Sequence, residues 1–293
     1  VKEIVVISGK GGTGKTSLVA SLAVLAGRSV LADCDVDAAD LHLVLKPEIK
    51  ETNDFTGGKT AEIITGSCTG CGKCYEICRF EAVIRDEQKK PPFRIDPVAC
   101  EGCGVCSYFC PEKAVAFEPA VNGQWYISDT EYGPMVHAKL GIAQENSGKL
   151  VALVRGQARA IAEKEGLPYI IVDGPPGIGC PVIASVTGAD AVLIVTEPTV
   201  AGEHDLLRVA ELAGHFKIPA YLCINKFDIN PAMSVNIMGK ALALGIRMAG
   251  RIPYDRAVTD AQIKGVPVMS FTDGPVAKEI RKTWDTFLKK LNR

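Results

Sequence analysis

Two sets of residues in this chain have types and spacings suited to chemistry. The first is Gly9-Lys10-Gly11-Gly12-Thr13-Gly14-Lys15-Thr16, which fits G-x-x-x-x-G-K-[ST]. Glycines at these positions let backbone N–H groups converge on phosphate oxygens. A helix starting there adds the positive end of its dipole. Lys15 is placed to reach β- and γ-phosphates, and the Thr16 hydroxyl to hold Mg²⁺. Ser17 counts with the same set. The expected ligands are ATP or ADP with Mg²⁺.

The second set is cysteine. Of the chain's 11 cysteines, eight fall between residues 68 and 110: Cys68, Cys71, Cys74 and Cys78, then Cys100, Cys103, Cys106 and Cys110. Both runs read C-x2-C-x2-C-x3-C, and clustering of this kind points to metal more than to disulfides. The doubled spacing is that of two [4Fe–4S] clusters. Three thiolates from a tight loop wrap one face of a cube, and the fourth comes from the other run, because a cysteine one helical turn on points away. Cys68, Cys71, Cys74 and Cys110 are thus expected at one cluster, and Cys78, Cys100, Cys103 and Cys106 at the other. Arg79 follows the first run where proline is usual, while Pro111 follows the second. The competing reading, zinc in paired C-x2-C sites, does not need this doubled pattern.

The elements that must position these residues follow from periodicity. Glu3–Ile7 reads as a strand, Thr16–Ala26 as a helix and Ser29–Ala32 as a second strand. The alternation breaks off and resumes near Lys149. Helices are expected over Leu150–Glu165, Glu203–His215, Pro231–Leu244 and Pro275–Leu291, and strands over Tyr169–Val172, Ala191–Val195 and Ala220–Ile224. Strands alternating with helices imply right-handed crossovers and a doubly wound, mostly parallel α/β sheet. The interruption differs in character. Thr56-Gly57-Gly58 and Glu118-Pro119 read as hinges, and Ala61–Thr65 can pair antiparallel with Ala114–Phe117, which brings the ends of the segment together. The expected organisation is a nucleotide-binding domain built from 1–56 and 120–293, carrying an inserted α+β domain at 57–119.

Composition sets outer bounds. With 293 residues, 47% hydrophobic and 23% charged, the chain can bury a sizeable core. A net charge of −1 provides no global attraction to nucleic acid or anionic lipid. No run of eighteen apolar residues occurs, and the short apolar run Ile4–Ile7 leads into glycines without a signal-peptide layout. The expectation is a cytoplasmic protein with no membrane contact and no nucleic-acid partner.

Lys10 adds family information. K-G-G-T-G-K-T resembles the deviant Walker A loop of the MinD/ParA/Mrp ATPases, and the cysteine runs resemble a two-cluster ferredoxin. Together they resemble MinD-superfamily P-loop ATPases with an inserted ferredoxin domain. The resemblance implies that Lys10 reaches the nucleotide of a partner subunit, and hence an ATP-bound homodimer. It implies that Asp35, in Asp33-Cys34-Asp35, orients the attacking water and that Asp33 supports the metal shell. Asp173, in Tyr169-Ile170-Ile171-Val172-Asp173-Gly174, is implied as the Walker B contact to Mg²⁺ or its water, with glycines after it for a moving switch. Asn225 resembles the adenine-contacting asparagine of the class, and Pro253 and Tyr254 are weaker base-pocket candidates.

Three lesser features complete the reading. Cys180 lies near the offset at which the nitrogenase iron protein of this class holds a shared cluster, but the chain has no evident second ligand for one. His137 reads as a polar loop or satisfied histidine, with a proton or redox role as its alternative. The C-terminal helix reads as packed on the sheet, with a membrane-surface role as its alternative. The function expected first is an ATP-gated electron carrier acting on a redox partner. An iron–sulfur cluster assembly or carrier ATPase acting on client proteins comes second, and a positioning ATPase of the ParA/MinD kind with redox-sensing clusters comes third.

Overall fold

A computed structural model describes residues 1–141 and 147–292. In chain order the strands are β1 (Lys2–Ser8), β2 (Val30–Asp33), β3 (Glu48–Phe55), β4 (Gly58–Ile63), β5 (Val83–Arg85), β6 (Phe93–Ile95), β7 (Val115–Ala120), β8 (Gly123–Thr130), β9 (Gly133–Leu140), β10 (Tyr169–Pro176), β11 (Ala191–Thr196), β12 (Ala220–Asn225) and β13 (Arg247–Ile252). The helices are α1 (Lys15–Ala26), α2 (Leu41–Leu45), α3 (Lys73–Ile77), α4 (Val105–Tyr108), α5 (Ser147–Glu165), α6 (Cys180–Val186), α7 (Val200–His215), α8 (Pro231–Ala243), α9 (Arg256–Lys264), α10 (Val268–Phe271) and α11 (Pro275–Leu291).

The chain divides into two compact units. The larger comprises Val1–Thr52, Trp125–Ala138 and Ser147–Arg293. A nine-stranded sheet runs in the order β13-β12-β11-β1-β10-β2-β9-β8-β3. Every neighbouring pair from β13 through β9 is parallel. Its central strands are buried on both faces, which is why Ile4–Ile7, Ile170–Val172 and Ala191–Val195 are continuous apolar runs without alternation. The sheet is α/β and mostly parallel, as the alternation of elements implies.

One stretch departs from the sequence expectation. The parallel alternation does not wait until Lys149: β9 already pairs with β2, with Leu31 opposite Met135 and Asp33 opposite His137. Met135, Val136 and Ala138 are buried there, so Pro134–Ala138 is a core strand. Its apolar run is short and carries a histidine, so periodicity did not distinguish it from loop. His137 Nε2 lies 2.8 Å from Ser128 Oγ, and its ring stacks on Tyr126 at 4.9 Å. It is a satisfied core histidine.

Helix α11 packs against β13 and α1. Val276, Ala277, Ile280, Trp284 and Phe287 are buried, and Phe287 meets Tyr221 edge-on at 4.9 Å. The apolar face that could have met a membrane is spent on the core. No helix among the described residues is long and apolar enough to cross a bilayer.

A buried ion pair ties the entry of β1 to two helices. Glu3 is 1% exposed, and its carboxylate accepts from Arg155 Nε at 2.5 Å and Arg159 Nη2 at 2.7 Å, both on α5. Arg155 Nη1 also donates to the carbonyls of Ala184 at 2.6 Å and Thr187 at 2.9 Å, at the C-terminal end of α6. A guanidinium at that end satisfies carbonyls that the helix leaves unpaired.

The smaller unit comprises Asn53–Gln124 with a short return segment beginning at Lys139. Strands β4 and β7 pair antiparallel, with Ala61 opposite Phe117, and β5 pairs antiparallel with β6. Asn122 clasps the entry and exit of the paired strands. Its Oδ1 accepts from the N–H groups of Gly57 at 3.0 Å and Gly58 at 2.9 Å, and its own N–H donates to Phe55 O at 2.8 Å. This clasp extends the unit beyond the hinges read at 57–119.

The two cysteine runs form a structural repeat. Gly70 and Gly102 have φ of 75° and 60°, and Gly72 and Gly104 have φ of 79° and 74°. Helices α3 and α4 follow the second glycine of each pair and pack together. Gly102 has a further reason to be glycine: a Cβ there would lie 2.3 Å from Lys59 O. The apolar core of the unit is small, consisting of Ala61, Ile63, Val83, Phe93 and Val115, with Cys68, Cys74, Cys78, Cys100, Cys106 and Cys110 packed against it. A core of this size in a unit of about 80 residues is too small to hold it firmly alone.

Candidate functional site: a phosphate loop and two cysteine-lined hollows

The loop from Gly9 to Gly14 joins the carboxyl end of β1 to the N-terminus of α1. Gly14 sits at the helix entry with φ 84°, and a Cβ there would lie 2.5 Å from Asn225 Nδ2. Only glycine fits so tight a turn in this hand. Asn225, at the end of β12, donates Nδ2 to Thr13 O at 2.8 Å, so the expected base-contacting residue also holds the loop.

Lys15 is nearly buried, and its Nζ lies 2.5 Å from Asp173 Oδ1 and 3.3 Å from Asp35 Oδ2. Asp33 stands beside them, register partner of Asp173 on the adjacent strand. Its Oδ1 accepts from Asp35 N at 3.2 Å and its Oδ2 from Leu41 N at 3.3 Å. The structure therefore brings Lys15, Asp33, Asp35 and Asp173 together at the carboxyl ends of parallel strands, where open α/β sheets bind ligands. Burial first, and the Asp173 charge second, push the Asp33 carboxyl well above the ordinary carboxylate range. Burial likewise raises Asp35, against the pull of Lys15. For Lys15 burial alone would lower the ammonium, but Asp173, Asp35 and Asp33 outweigh it and hold it above its ordinary value.

Two buried polar atoms at this site, Thr13 Oγ1 and Asp173 Oδ2, have no hydrogen-bond partner among the described residues. A hydroxyl in the phosphate loop and a carboxylate oxygen beside the lysine are the groups that a phosphate and a hydrated Mg²⁺ would satisfy. The donor set fits a nucleotide with its metal.

The remaining expected residues are placed as follows. Lys10 pairs with Glu197 Oε2 at 3.5 Å, and Glu197 Oε1 also takes Lys226 Nζ at 2.6 Å. Ser17 Oγ accepts from Gln262 Nε2 at 2.7 Å, which commits its side chain to α9. Pro253 and Tyr254 follow β13, with Tyr254 N–H donating to Asp228 Oδ1 at 2.7 Å and its ring exposed. Cys180 is exposed at the start of α6, while Cys34, directly after β2, and Cys223, in β12, are fully buried. Sequence reasoning passed over Glu197 and Lys226. Their signal was position: each follows an apolar strand at its carboxyl end.

In the smaller unit the cysteines ring two hollows. One, of about 380 Å³, is lined by Cys78, Cys100, Cys103 and Cys106. The other, of only about 20 Å³, is lined by Cys68, Cys71, Cys74 and Cys110. Each lining contains three cysteines of one run and one of the other. Burial pushes the Cys74 thiol up, and Cys68 and Cys71 add to it; burial raises Cys106, with Cys100 and Cys103 adding. Among the described residues no three metal-binding side chains converge on a point. A cubane cluster does not ask for that, because each thiolate takes a different iron and the ligands stand around a cavity. Four thiols around one apolar hollow are the donor set such a cluster needs.

The sheet, the loop and the lysine–carboxylate group define a P-loop nucleotide-binding α/β protein. The family model for the CobQ/CobB/MinD/ParA nucleotide binding domain matches residues 4–268, and the chain belongs to that family. It is 34% identical over 234 residues to the Methanocaldococcus jannaschii protein MJ0578, covering 78% of this chain and 80% of that one. It is 28% identical over 160 residues to an iron-sulfur cluster carrier protein of Pyrococcus horikoshii, covering 49% of this chain and 53% of that one. Among solved structures, the septum site-determining protein MinD of P. horikoshii in complex with Mg-ADP superposes with a TM-score of 0.60 at 17% identity, covering 99% of this chain and 97% of the other. At that identity the likeness speaks to the fold alone.

Proposed function

We propose that this chain is a Mg²⁺-dependent ATPase carrying two [4Fe–4S] clusters, and that its nucleotide state gates electron transfer to a redox partner. The observation that carries the reading is the partition of the eight cysteines into two hollows, each ringed by four, in a chain that also carries the Lys15–Asp173–Asp35 group. Cys68, Cys71, Cys74 and Cys110 would hold one cluster, and Cys78, Cys100, Cys103 and Cys106 the other; when bound they supply one-electron chemistry. At the nucleotide, Lys15 binds the terminal phosphates, Thr16, Asp33 and Asp173 hold the Mg²⁺ shell, and Asp35 orients the attacking water. Lys10 stabilises phosphate charge, in trans within an ATP-bound homodimer. Gating requires only that the nucleotide states bind the moving element with different free energy.

The test is anaerobic purification with iron and sulfide determination, then redox titration without nucleotide, with ADP and with ATP. An Asp35→Ala protein serves to trap the ATP state. Potentials and electron-transfer rates that do not differ between these states would remove the gating claim.

The second reading, a cluster carrier, draws on the relatives named as iron-sulfur cluster carrier proteins, which match about half of the chain. Four internal thiols per hollow favour retained clusters over cargo. Rapid transfer of iron and sulfide to an apo-ferredoxin would reverse that preference.

A further inference from the structure

The two lysines of the phosphate loop are both neutralised within the chain. Lys15 is paired with Asp173 and Asp35, and Lys10 with Glu197. A polyphosphate entering the loop must displace Asp173 and Asp35 from Lys15, and Lys10 must leave Glu197 to reach the phosphates of the partner subunit's nucleotide. Asp35 and Asp173 then become free for the metal and the water. Glu197 has no such second task, so its fate decides how readily Lys10 can leave.

Glu197 follows β11 and is 14% exposed at the side chain. A carboxylate so placed is costly to strand without a counter-charge. Lys226 supplies one: its Nζ lies 2.6 Å from Glu197 Oε1, while Lys10 holds the other oxygen more loosely at 3.5 Å. Lys226 is also one of few non-glycine residues with positive φ, 54°, in the turn directly after Asn225. Asn225 Oδ1 accepts the Lys226 N–H at 3.0 Å, and its Nδ2 holds Thr13 O. A strained backbone position whose side chain reaches a charged partner beside a ligand loop is where such strain has a use.

We propose that Glu197 and Lys226 form a charge-exchange pair for Lys10: Glu197 holds Lys10 until phosphate arrives, and Lys226 keeps Glu197 compensated when Lys10 departs. Both are positioning residues acting through Lys10. The proposal deepens the nucleotide-site reading and rests on it. It predicts effects of opposite sign from two neighbours in one ion-pair chain. Losing the carboxylate frees Lys10, and losing Lys226 tightens the grip of Glu197 on it. A merely structural network would be damaged by either loss.

The experiment measures Mg-ATP affinity by calorimetry on the full chain, for wild type, Glu197→Gln, Lys226→Asn and the double variant. Asparagine tolerates the positive φ, and Lys226→Gly repeats the measurement with no backbone strain. The expected result is about fivefold tighter binding for Glu197→Gln and about fivefold weaker binding for Lys226→Asn and Lys226→Gly. The double variant is expected to bind like Glu197→Gln, because no carboxylate is left to compensate. Weaker binding in Glu197→Gln, or additive effects in the double variant, overturns the proposal. Wild type that binds no Mg-ATP overturns the nucleotide-site reading itself, a distinct outcome.

Discussion

Asp33 and Asp173 face each other in register on the adjacent parallel strands β2 and β10, both essentially without solvent exposure. Two carboxyls so close in a dry site repel, and Lys15, 2.5 Å from Asp173, is the cation that makes the arrangement tolerable. The site is built against its own stability for the sake of a ligand, as polar clusters at binding sites commonly are.

Lys15→Met removes that cation and leaves Asp173 and Asp35 without it. Breaking a buried pair by deleting one partner is expected to cost about 3 kcal/mol of unfolding free energy. Mg-ATP affinity is expected to fall by about a hundredfold. Urea titration and calorimetry measure the two effects. A variant that binds nucleotide like wild type would contradict the role given to Lys15.

Burial first, and His42 second, lower the His137 pKa from its ordinary 6.5 to about 4. A base depressed in the folded state stabilises fully above its unfolded pKa. That contribution is lost as the pH falls from about 6.5 to about 4, by roughly 3 kcal/mol in all. His137→Gln should therefore lose less stability over that window than wild type. Asp33 and Asp35, raised carboxyls, act in the opposite sense, favouring the fold at low pH and costing stability as the pH rises through their folded pKa values. Both are common to the two proteins, so denaturation curves at stepped pH isolate the histidine. Parallel pH profiles would refute the assignment.

Gly14→Ala meets two obstacles, a φ of 84° and a Cβ 2.5 Å from Asn225 Nδ2. The backbone strain alone is worth about 1 kcal/mol or more. Nucleotide affinity is expected to drop by about tenfold or more. Gly14→Ala combined with Asn225→Ala should recover only part of this, since truncating Asn225 removes the clash and leaves the strain. Full recovery would show that the turn itself is not demanding.

On the proposed reading, the smaller unit, whose apolar cluster is Ala61, Ile63, Val83, Phe93 and Val115, should depend on its clusters for order. Chelation of iron, or Cys78→Ser together with Cys110→Ser, is expected to open 57–119 to limited proteolysis. Mg-ATP binding by the larger unit should persist. Protease resistance that is indifferent to iron would mean the apolar contacts suffice.

Much of this was legible in the residues. The phosphate loop between β1 and α1 rests on local spacing, and local spacing survives folding. Likewise the central strands announce themselves as apolar runs because both faces are covered. β9 was not legible: its apolar stretch is short, and its histidine is satisfied by Ser128, a partner no periodicity reveals. Glu197 and Lys226 escaped for a similar reason. Each reads as an ordinary charge after a strand until the sheet order brings β1, β11 and β12 side by side.

The clasp of Arg155 on Ala184 and Thr187 has a mechanical consequence. It anchors the far end of α6 to the base of β1 through Glu3, while Gly177 N–H is tied to Ser8 O at 2.9 Å. Between Pro176 and Cys180 only Gly177, Ile178 and Gly179 span the gap, a reach of about 10 Å at full extension. The near end of α6 thus hangs from β10 by a three-residue linker, while its far end is tied through Arg155 to the base of β1.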